Sequence, residues 1–258
     1  MTVKAILATS TALVTWAGMA QAADVAALIG NDTLAIVDTS AKKATKKMKV
    51  EGITGPLVGI DVRPADGMLY ALAADGTLYT IAMNGKATKK SKLETMLPAG
   101  ASATVDFNPV ADRLRVIGSD GTSLRVNVDD GKVIKDGSLK YADADANKGK
   151  APKVMAGAYT NSVKGTKETT LLNVDSTTGA LVKQAPPNDG VLNTVGALGP
   201  KVDVIAFDIR SDGTKNEGWA MTGDQLWSID LASGKATQVA RIEGLGGAVT
   251  DLAILPKM

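Results

Sequence analysis

The stretch LWSIDLASGKAT at residues 226–237 decides the fold, because the chain contains similar copies of it at four earlier places. LAIVDTSAKKAT begins at Leu34, LYTIAMNGKAT at Leu78, LRVNVDDGKV at Leu124 and LLNVDSTTGAL at Leu171. Apolar and polar residues alternate in these copies, and four of them have a glycine in the turn that follows. Such alternation followed by a turn predicts a repeated β-hairpin.

A second repeated element stands before these copies. LVGIDVRPADGMLYAL at residues 57–72 is echoed by ATVDFNPVADRLRVI at residues 103–117, and weaker echoes begin at Val154 and Val204. When the units are aligned at Asp61, Asp106, Ala158 and Asp208, their starts are 45, 52 and 50 residues apart. Four short strands in roughly 45 residues are typical of a propeller blade.

The two ends of the chain complement each other. The last unit supplies only a first strand, at residues 249–255, whereas VAALIG, TLAIVD and KATKKMKV near the N-terminus read as the three strands that it lacks. Joining them removes open edges, which would otherwise favour aggregation. We therefore predict an all-β fold, a five-bladed β-propeller closed by N- and C-terminal strands that share one blade. An open sandwich or an irregular β-solenoid is the alternative.

The first 22 residues have the features of a signal peptide. Lys4 supplies a positive charge, AILATSTALVTW at residues 5–16 is apolar but too short to span a bilayer, and Ala20-Gln21-Ala22 is a cleavage box. A buried N-terminal helix is the alternative. We predict a signal peptide at residues 1–22, a single propeller domain at residues 23–258, and a periplasmic or secreted protein. We expect no membrane insertion after signal removal, since no other stretch has the length to span a membrane.

The composition excludes several classes of activity. The chain has no histidine and no cysteine, which rules out Ser-His-Asp and Cys-His catalysis and metal sites that need either residue. Any metal would need oxygen ligands, so we expect no cofactor other than a possible calcium ion. A formal net charge of +2 argues against nucleic acid as the partner. We expect a monomer that binds a small molecule or a protein.

The first strand of each blade lines the channel of a propeller, and here these strands carry polar residues at matching places. The candidate ligand-binding residues on them are Asp61, Arg63, Asp106, Asn108, Tyr159, Asn161, Asp208 and Arg210. Aspartates beside arginines would bind a polar or anionic ligand through charge-assisted hydrogen bonds. The alternative is that these residues cap strand ends and pair with neighbouring blades, because every blade needs the same register.

Two irregular loops, residues 136–153 and 184–201, interrupt the repeats and lead into first strands, where binding residues are often found. In the first loop Asp143, Asp145 and Asn147 alternate like the opening of a calcium loop and are candidate metal ligands. Lys148 and Val154 stand where an EF-hand needs glycine and glutamate, so an EF-hand is excluded. A looser calcium site and a solvated acidic turn remain the two interpretations.

The second loop contains the sequence PPNDG at residues 186–190. Two prolines make the segment rigid, and Asn and Asp favour a sharp turn because their side chains bond to the local backbone. Asn188 and Asp189 are therefore candidate ligand-binding residues on this turn. An ordinary surface turn is the alternative.

Several of these stretches occur together in one known family. FNPVADRLRVI, LRVNVDDG, YADADANKG, AYTNS and PPNDGVLNTVG resemble, in this order, the bacterial family called domain of unknown function 4394. The resemblance covers nearly all of the predicted mature chain. It implies an exported protein with propeller-like repeats and no assigned activity, so no catalytic role is transferred to any residue here.

Two main functions follow from the sequence. The first is a non-enzymatic module that binds a ligand or a protein, because no nucleophile and base are found together. The second is a calcium-assisted hydrolase or lyase acting on a sugar lactone or similar small anion. In that reading Asp61, Asp106, Asp208 and Asp251 hold the cation, and Arg63 or Arg210 contacts the substrate. A lysine-rich surface strip for acidic polysaccharide is a third and weaker hypothesis.

Overall fold

The computed structural model describes residues 24–199 and 206–256. The predicted signal peptide lies outside these residues. Within the described part of the chain, the strands form five separate small sheets. Blade 1 consists of β4 (Leu57–Val62), β5 (Leu69–Ala73), β6 (Thr77–Ile81) and β7 (Ala87–Lys92). Blade 2 consists of β8 (Ala103–Asn108), β9 (Arg113–Gly118), β10 (Ser123–Val126) and β11 (Val133–Lys135).

The other three blades complete the ring. Blade 3 consists of β13 (Val154–Tyr159), β14 (Leu171–Asp175), β15 (Ala180–Gln184) and β16 (Val191–Ala197), to which β12 (Lys140–Tyr141) adds a fifth strand. Blade 4 consists of β17 (Ala206–Ser211), β18 (Asn216–Thr222), β19 (Gln225–Ile229) and β20 (Ala236–Arg241). Blade 5 consists of β21 (Val249–Ile254), β1 (Asp24–Ile29), β2 (Thr33–Asp38) and β3 (Lys43–Lys49).

The chain termini share blade 5, as the sequence predicts. β21 pairs antiparallel with β1, and Ala253 stands opposite Ala26. The innermost strands β4, β8, β13, β17 and β21 contact one another in that order, and β21 contacts β4 again. The prediction of a five-bladed propeller closed by its two ends is therefore confirmed.

Hydrophobic residues fill the spaces between blades. Each blade is covered on both faces by its neighbours, so its middle strands are apolar at nearly every position; all five residues of β5, LYALA, are buried. The ring of Tyr70 in blade 1 meets Phe107 of blade 2 edge-on, with 5.2 Å between the ring centroids. The core is thus a ring of interfaces between blades, each made mainly of Leu, Val, Ile and Ala.

The outermost strands have the opposite character. In β3 the residues are KATKKMK and none of them is fully buried, and in β7 four of six positions are exposed. Lysines on an edge strand oppose pairing with another chain, since that pairing would bring like charges together. These lysines therefore mark the rim of the propeller.

The predicted hairpin turns occur at the glycines of the repeat, between the third and fourth strands of a blade. Gly85 and Gly234 have backbone φ angles of 88° and 78°, in the left-handed region that glycine tolerates best. Blade 3 departs from the repeat because the loop before it adds β12, which runs parallel to β16. Tyr141 of β12 donates a hydrogen bond to the buried carboxylate of Asp175, which anchors this loop to the blade.

Among the described residues, no helix has both the length and the apolar character needed to cross a membrane.

Candidate functional site

Three aspartates meet at the centre of the ring. Asp61, Asp106 and Asp208 occupy equivalent positions on β4, β8 and β17, and one carboxylate oxygen from each lies within 4.8 Å of the others. The equivalent positions in blades 3 and 5 are Ala158 and Ala253, both fully buried. Blade 5 instead carries Asp251, two residues before Ala253 on the same strand. All four aspartates are at most 6% exposed.

These aspartates link neighbouring blades through the backbone. The Asp61 carboxylate accepts a hydrogen bond from the Phe107 amide at 2.6 Å, and the Asp106 carboxylate accepts one from the Tyr159 amide at 2.9 Å. Adjacent inner strands belong to different sheets and share no ladder of hydrogen bonds. The carboxylates therefore supply polar contacts that the strands themselves lack.

Hydrogen bonds of the same kind join blade 5 to its two neighbours, blades 4 and 1. The Asp208 carboxylate accepts a hydrogen bond from the Ile254 amide at 2.7 Å, and the Asp251 carboxylate accepts one from the Ile60 amide at 2.8 Å. Asp251 lies two residues before Ala253, the position equivalent to the other three aspartates. Its partner amide, that of Ile60, likewise lies two residues before the equivalent amide, that of Val62. The geometry of all four aspartates therefore fits the alternative interpretation, in which these residues link neighbouring blades and fix their register.

Burial raises the pKa of all four carboxyls. The pKa values of Asp61, Asp106 and Asp251 lie well above the ordinary range, chiefly because burial disfavours the charged form. The charge of Asp208 raises the pKa of Asp61 further, and burial raises the pKa of Asp208 itself. In the described part of the chain, no lysine or arginine forms an ion pair with any of them. Each of these buried carboxyls is therefore stabilised by a bound proton or by a nearby positive charge.

The two candidate arginines are engaged with acidic partners. Nε and Nη2 of Arg63 donate to both carboxylate oxygens of Asp112 in blade 2, at 2.8 and 2.6 Å, and Nη2 also approaches Asp129 at 3.3 Å. The pKa of Arg63 is raised, chiefly by the hydrogen bonds to Asp112. Nε of Arg210 donates to Glu217 of its own blade at 3.0 Å. Both arginines thus already neutralise nearby carboxylates.

Two further candidates on or next to the inner strands, Asn108 and Asn161, have partners within the protein. The side-chain oxygen of Asn108 accepts from the Val110 and Ala111 amides and caps a turn. The backbone amide of Asn161 donates to the side chain of Asn216 at 2.7 Å, and the Asn216 side chain donates back to that of Asn161 at 2.8 Å. This amide pair joins blades 3 and 4, where the inner strand has Ala158 in place of a linking aspartate.

Tyr159 and Asn188 belong to a cluster around Arg115 of β9. The guanidinium of Arg115, which is 2% exposed, donates to the Tyr159 hydroxyl at 3.2 Å and to the Asn188 side-chain oxygen at 2.9 Å. It also forms an ion pair with Asp136. Blades 2 and 3 are held together here. The sequence signal for this cluster is a charged residue, Arg115, inside the apolar run RLRVI at residues 113–117.

The remaining candidates lie on the surface. Asp189 follows Asn188 in a 3-10 turn, Pro187–Asp189, and is exposed. Both carboxylate oxygens of Asp145 accept hydrogen bonds from Thr194 of β16, one from its amide at 2.6 Å and one from its hydroxyl at 2.9 Å. Asp143 forms an ion pair with Lys148 at 2.9 Å. The Asn147 side chain donates to Thr194. Asp145 and Asn147 thus tie the loop to blade 3, and Asp143 points to solvent.

A large cavity opens where the inner strands end. Its volume is about 630 Å³, and we call it the mouth cavity. Residues at the ends of β4, β17 and β21 line it, together with residues that follow β13. Its acidic residues are Asp24, Asp38, Asp61, Asp208 and Asp212, and its basic residues are Lys164 and Arg210. The cavity lies at the opposite end of the channel from the two irregular loops that contain Asn188, Asp189, Asp143, Asp145 and Asn147, but three predicted ligand-binding residues, Asp61, Asp208 and Arg210, line it.

Several solved structures are similar to this chain. A structure of unknown function from Bacteroides thetaiotaomicron has a TM-score of 0.54 at 14% identity, with 92% of this chain and 65% of that chain covered. A second one, from Bacteroides caccae, has a TM-score of 0.44 at 17% identity and covers 87% and 76%. A catalytically inactive virginiamycin B lyase from Staphylococcus aureus with quinupristin has a TM-score of 0.46 at 12% identity and covers 86% and 71%. At 14% identity, the likeness to the first of these structures concerns the fold alone.

No curated protein matches the chain. The family model described as "Domain of unknown function (DUF4394)" matches residues 33–253, which include strands of all five blades. The resemblance seen in the sequence motifs is thereby confirmed, and the chain belongs to the DUF4394 family.

Proposed function

We propose that the protein is an exported, non-enzymatic binding module that takes a small molecule in the mouth cavity. The supporting observation is that Asp61 and Asp208, two buried carboxyls without a cationic partner among the described residues, are in the wall of a cavity of about 630 Å³. Cavities of this size accommodate small ligands, and a few convergent polar groups fix their orientation.

The charges of the wall favour a ligand with a cationic or hydrogen-donating group. Hydrogen bonds from Thr214 and Lys215 hold the pKa of Asp212 at about 2, so this carboxylate is ionised at neutral pH. Two basic residues, Arg210 and Lys164, also line the cavity, but Arg210 is paired with Glu217, and the five aspartates of the lining outnumber them. A bound cation would offset the unfavourable burial of Asp61 and Asp208. The charge of the lining therefore favours a cationic ligand over the anionic ligand that the sequence suggested.

A calorimetric titration with 1,4-diaminobutane, and with citrate as the anionic counterpart, tests the proposal. We expect the diamine to bind, citrate not to bind, and Asp208→Asn to weaken diamine binding at least about tenfold. Asp143→Asn is the matched control, since it makes the same chemical change at a carboxylate that is 95% exposed and far from the cavity lining. Citrate binding that is unchanged or strengthened in Asp208→Asn would instead support an anion site. The proposal fails if neither probe binds.

The second candidate function is the calcium-assisted hydrolase or lyase. It is favoured by the three carboxylate oxygens of Asp61, Asp106 and Asp208 within 4.8 Å of one another. We rank it second because calcium takes six to eight oxygen ligands, whereas these carboxylates already accept backbone hydrogen bonds. Millimolar calcium should raise the melting temperature of the protein, but not that of Asp61→Asn, if this candidate is correct.

A further inference from the structure

A second cavity opens directly beside the mouth cavity. Its volume is about 430 Å³, and we call it the side groove. It lies between β2 of blade 5 and the strands β5 and β6 of blade 1. Asp24, Gly67, Leu255 and Pro256 line both cavities, so the two spaces adjoin along a common wall. A molecule in the mouth cavity can therefore extend into the side groove.

The side groove differs from the mouth cavity in its chemistry. Besides Leu255 and Pro256 on the shared wall, its apolar lining consists of Ile36, Met68, Leu69, Ile81, Ala82 and Met83. Leu69 and Ile81 stand opposite each other across β5 and β6 and are 5% exposed, so they form a fixed floor. Met68 and Met83 are 43% and 40% exposed. Methionine side chains adapt their shape to apolar ligands, which makes these two suited to cover a bound chain.

The charges give a bound molecule one orientation. Among the described residues, five aspartates line the mouth cavity together with Lys164 and Arg210, whereas Lys86 and one aspartate, Asp24, line the side groove. A cationic group is thus favoured in the mouth cavity and disfavoured by Lys86 in the groove. An apolar group gains by covering the exposed methionines.

From these two adjoining cavities we infer that the ligand is a small amphiphilic cation, with an ammonium head in the mouth cavity and an apolar tail along the side groove. This inference rests on the proposed function and specifies its ligand class. It predicts that affinity rises with the length of the tail. Burial of one methylene strengthens binding by up to about fourfold, so four additional methylenes give a gain of at least about tenfold when they are partly buried.

The test is a calorimetric comparison of butylammonium, octylammonium and octanoate, each below its micelle concentration. We expect octylammonium to bind at least tenfold more tightly than butylammonium, and octanoate to bind more weakly than octylammonium. The double variant Met68→Ser and Met83→Ser should remove most of the advantage of the longer chain, so that octylammonium loses more affinity than butylammonium. Val110→Ser is the control, because Val110 is also exposed, at 48%, but lies outside the groove.

The possible results separate the inference from the proposed function. If both ammonium ions bind with equal affinity, the inference is wrong and the proposed function stands. If octanoate binds as tightly as octylammonium, the groove takes any apolar chain and the inference is also wrong. Should neither ammonium ion nor the diamine bind, both proposals fail. Self-association that is lost in the double methionine variant would assign the groove to a second copy of the chain and overturn the inference.

Discussion

The carboxylate of Asp61 in blade 1 accepts a hydrogen bond from the backbone amide of Phe107 in blade 2, with 2.6 Å between Oδ2 and N. Its other oxygen accepts from the Val62 amide at 2.6 Å. Further out, the Phe107 ring packs edge-on against Tyr70 of blade 1. Two blades that share no hydrogen-bonded strands are thus joined by a buried carboxyl near the axis and by aromatic packing behind it.

The first prediction concerns the dependence of stability on pH. The pKa of Asp61 in the folded protein is raised by burial and by the charge of Asp208. Its stabilising contribution is therefore complete below the ordinary aspartate pKa of about 4, and it is lost as the pH rises through the raised folded pKa. We expect the melting temperature to fall as the pH is raised from about 5 to about 9, and to fall less in Asp61→Asn.

Differential scanning calorimetry of both proteins across this range measures the effect. Asp143→Asn is the control, since hydrogen bonding to Lys148 lowers the pKa of that carboxylate and keeps it ionised over the whole range. Its curve should run parallel to that of the unmodified protein. Parallel curves for Asp61→Asn as well would show that the buried carboxyl does not titrate in this range.

The second prediction concerns the close approach of blades 1, 2 and 5 at Gly59. A Cβ atom at this position would lie 2.6 Å from Cγ2 of Val105 and 3.1 Å from Oδ2 of Asp251. We expect Gly59→Ala to lower the free energy of unfolding by about 1–3 kcal/mol, because the inner strands must move apart. Urea denaturation measures the loss. Gly55→Ala is the control, since a Cβ there meets nothing within 4 Å; equal effects of the two substitutions would refute the crowding argument.

The third prediction concerns the ion pair between blades 1 and 2. Arg63 binds Asp112 through two nitrogens, and its side chain is only 11% exposed. Lysine keeps the charge but cannot make the two parallel hydrogen bonds, so Arg63→Lys should destabilise the protein by about 1–3 kcal/mol. Arg241→Lys, at a pair with Asp224 in which both side chains are about half exposed or more, should cost less than about 1 kcal/mol. Chemical denaturation that finds the two substitutions equivalent would contradict this assignment.

The fourth prediction concerns the loop that the sequence suggested as a calcium site. Asp145 accepts two hydrogen bonds from Thr194, and asparagine can accept at only one side-chain oxygen. We expect Asp145→Asn to destabilise the protein by about 1 kcal/mol, equally in calcium and in chelator, and Asp143→Asn to have little effect. Thermal melts with and without calcium provide the measurement. A calcium-dependent loss in both variants would favour the metal interpretation of Asp143, Asp145 and Asn147.

The repeats predicted some polar residues of the channel but not their partners. The aspartates at 61, 106 and 208 were visible because a repeat places equivalent residues at equal depth in every blade, and strands of one unit must point the same way around the axis. The pairing of Arg115 with Asp136 was missed because Arg115 lies on a regular strand, β9, whereas Asp136 lies in an irregular loop, and only folding brings them together. The pairing of Arg63 with Asp112 and Asp129 could not be predicted for the same reason, because both aspartates belong to turns of the next blade.

The sequence by itself determined the number of blades, the identity of the inner strands and the closure of the ring by both termini. These follow from local periodicity and from the count of strands, which each segment carries in its own pattern of apolar and polar residues. Only the tertiary structure decided which polar residues join blades and which face a cavity. That choice depends on distances across blade interfaces and on burial, which no single repeat contains, and it placed Asp61 and Asp208 beside both the mouth cavity and the neighbouring strands.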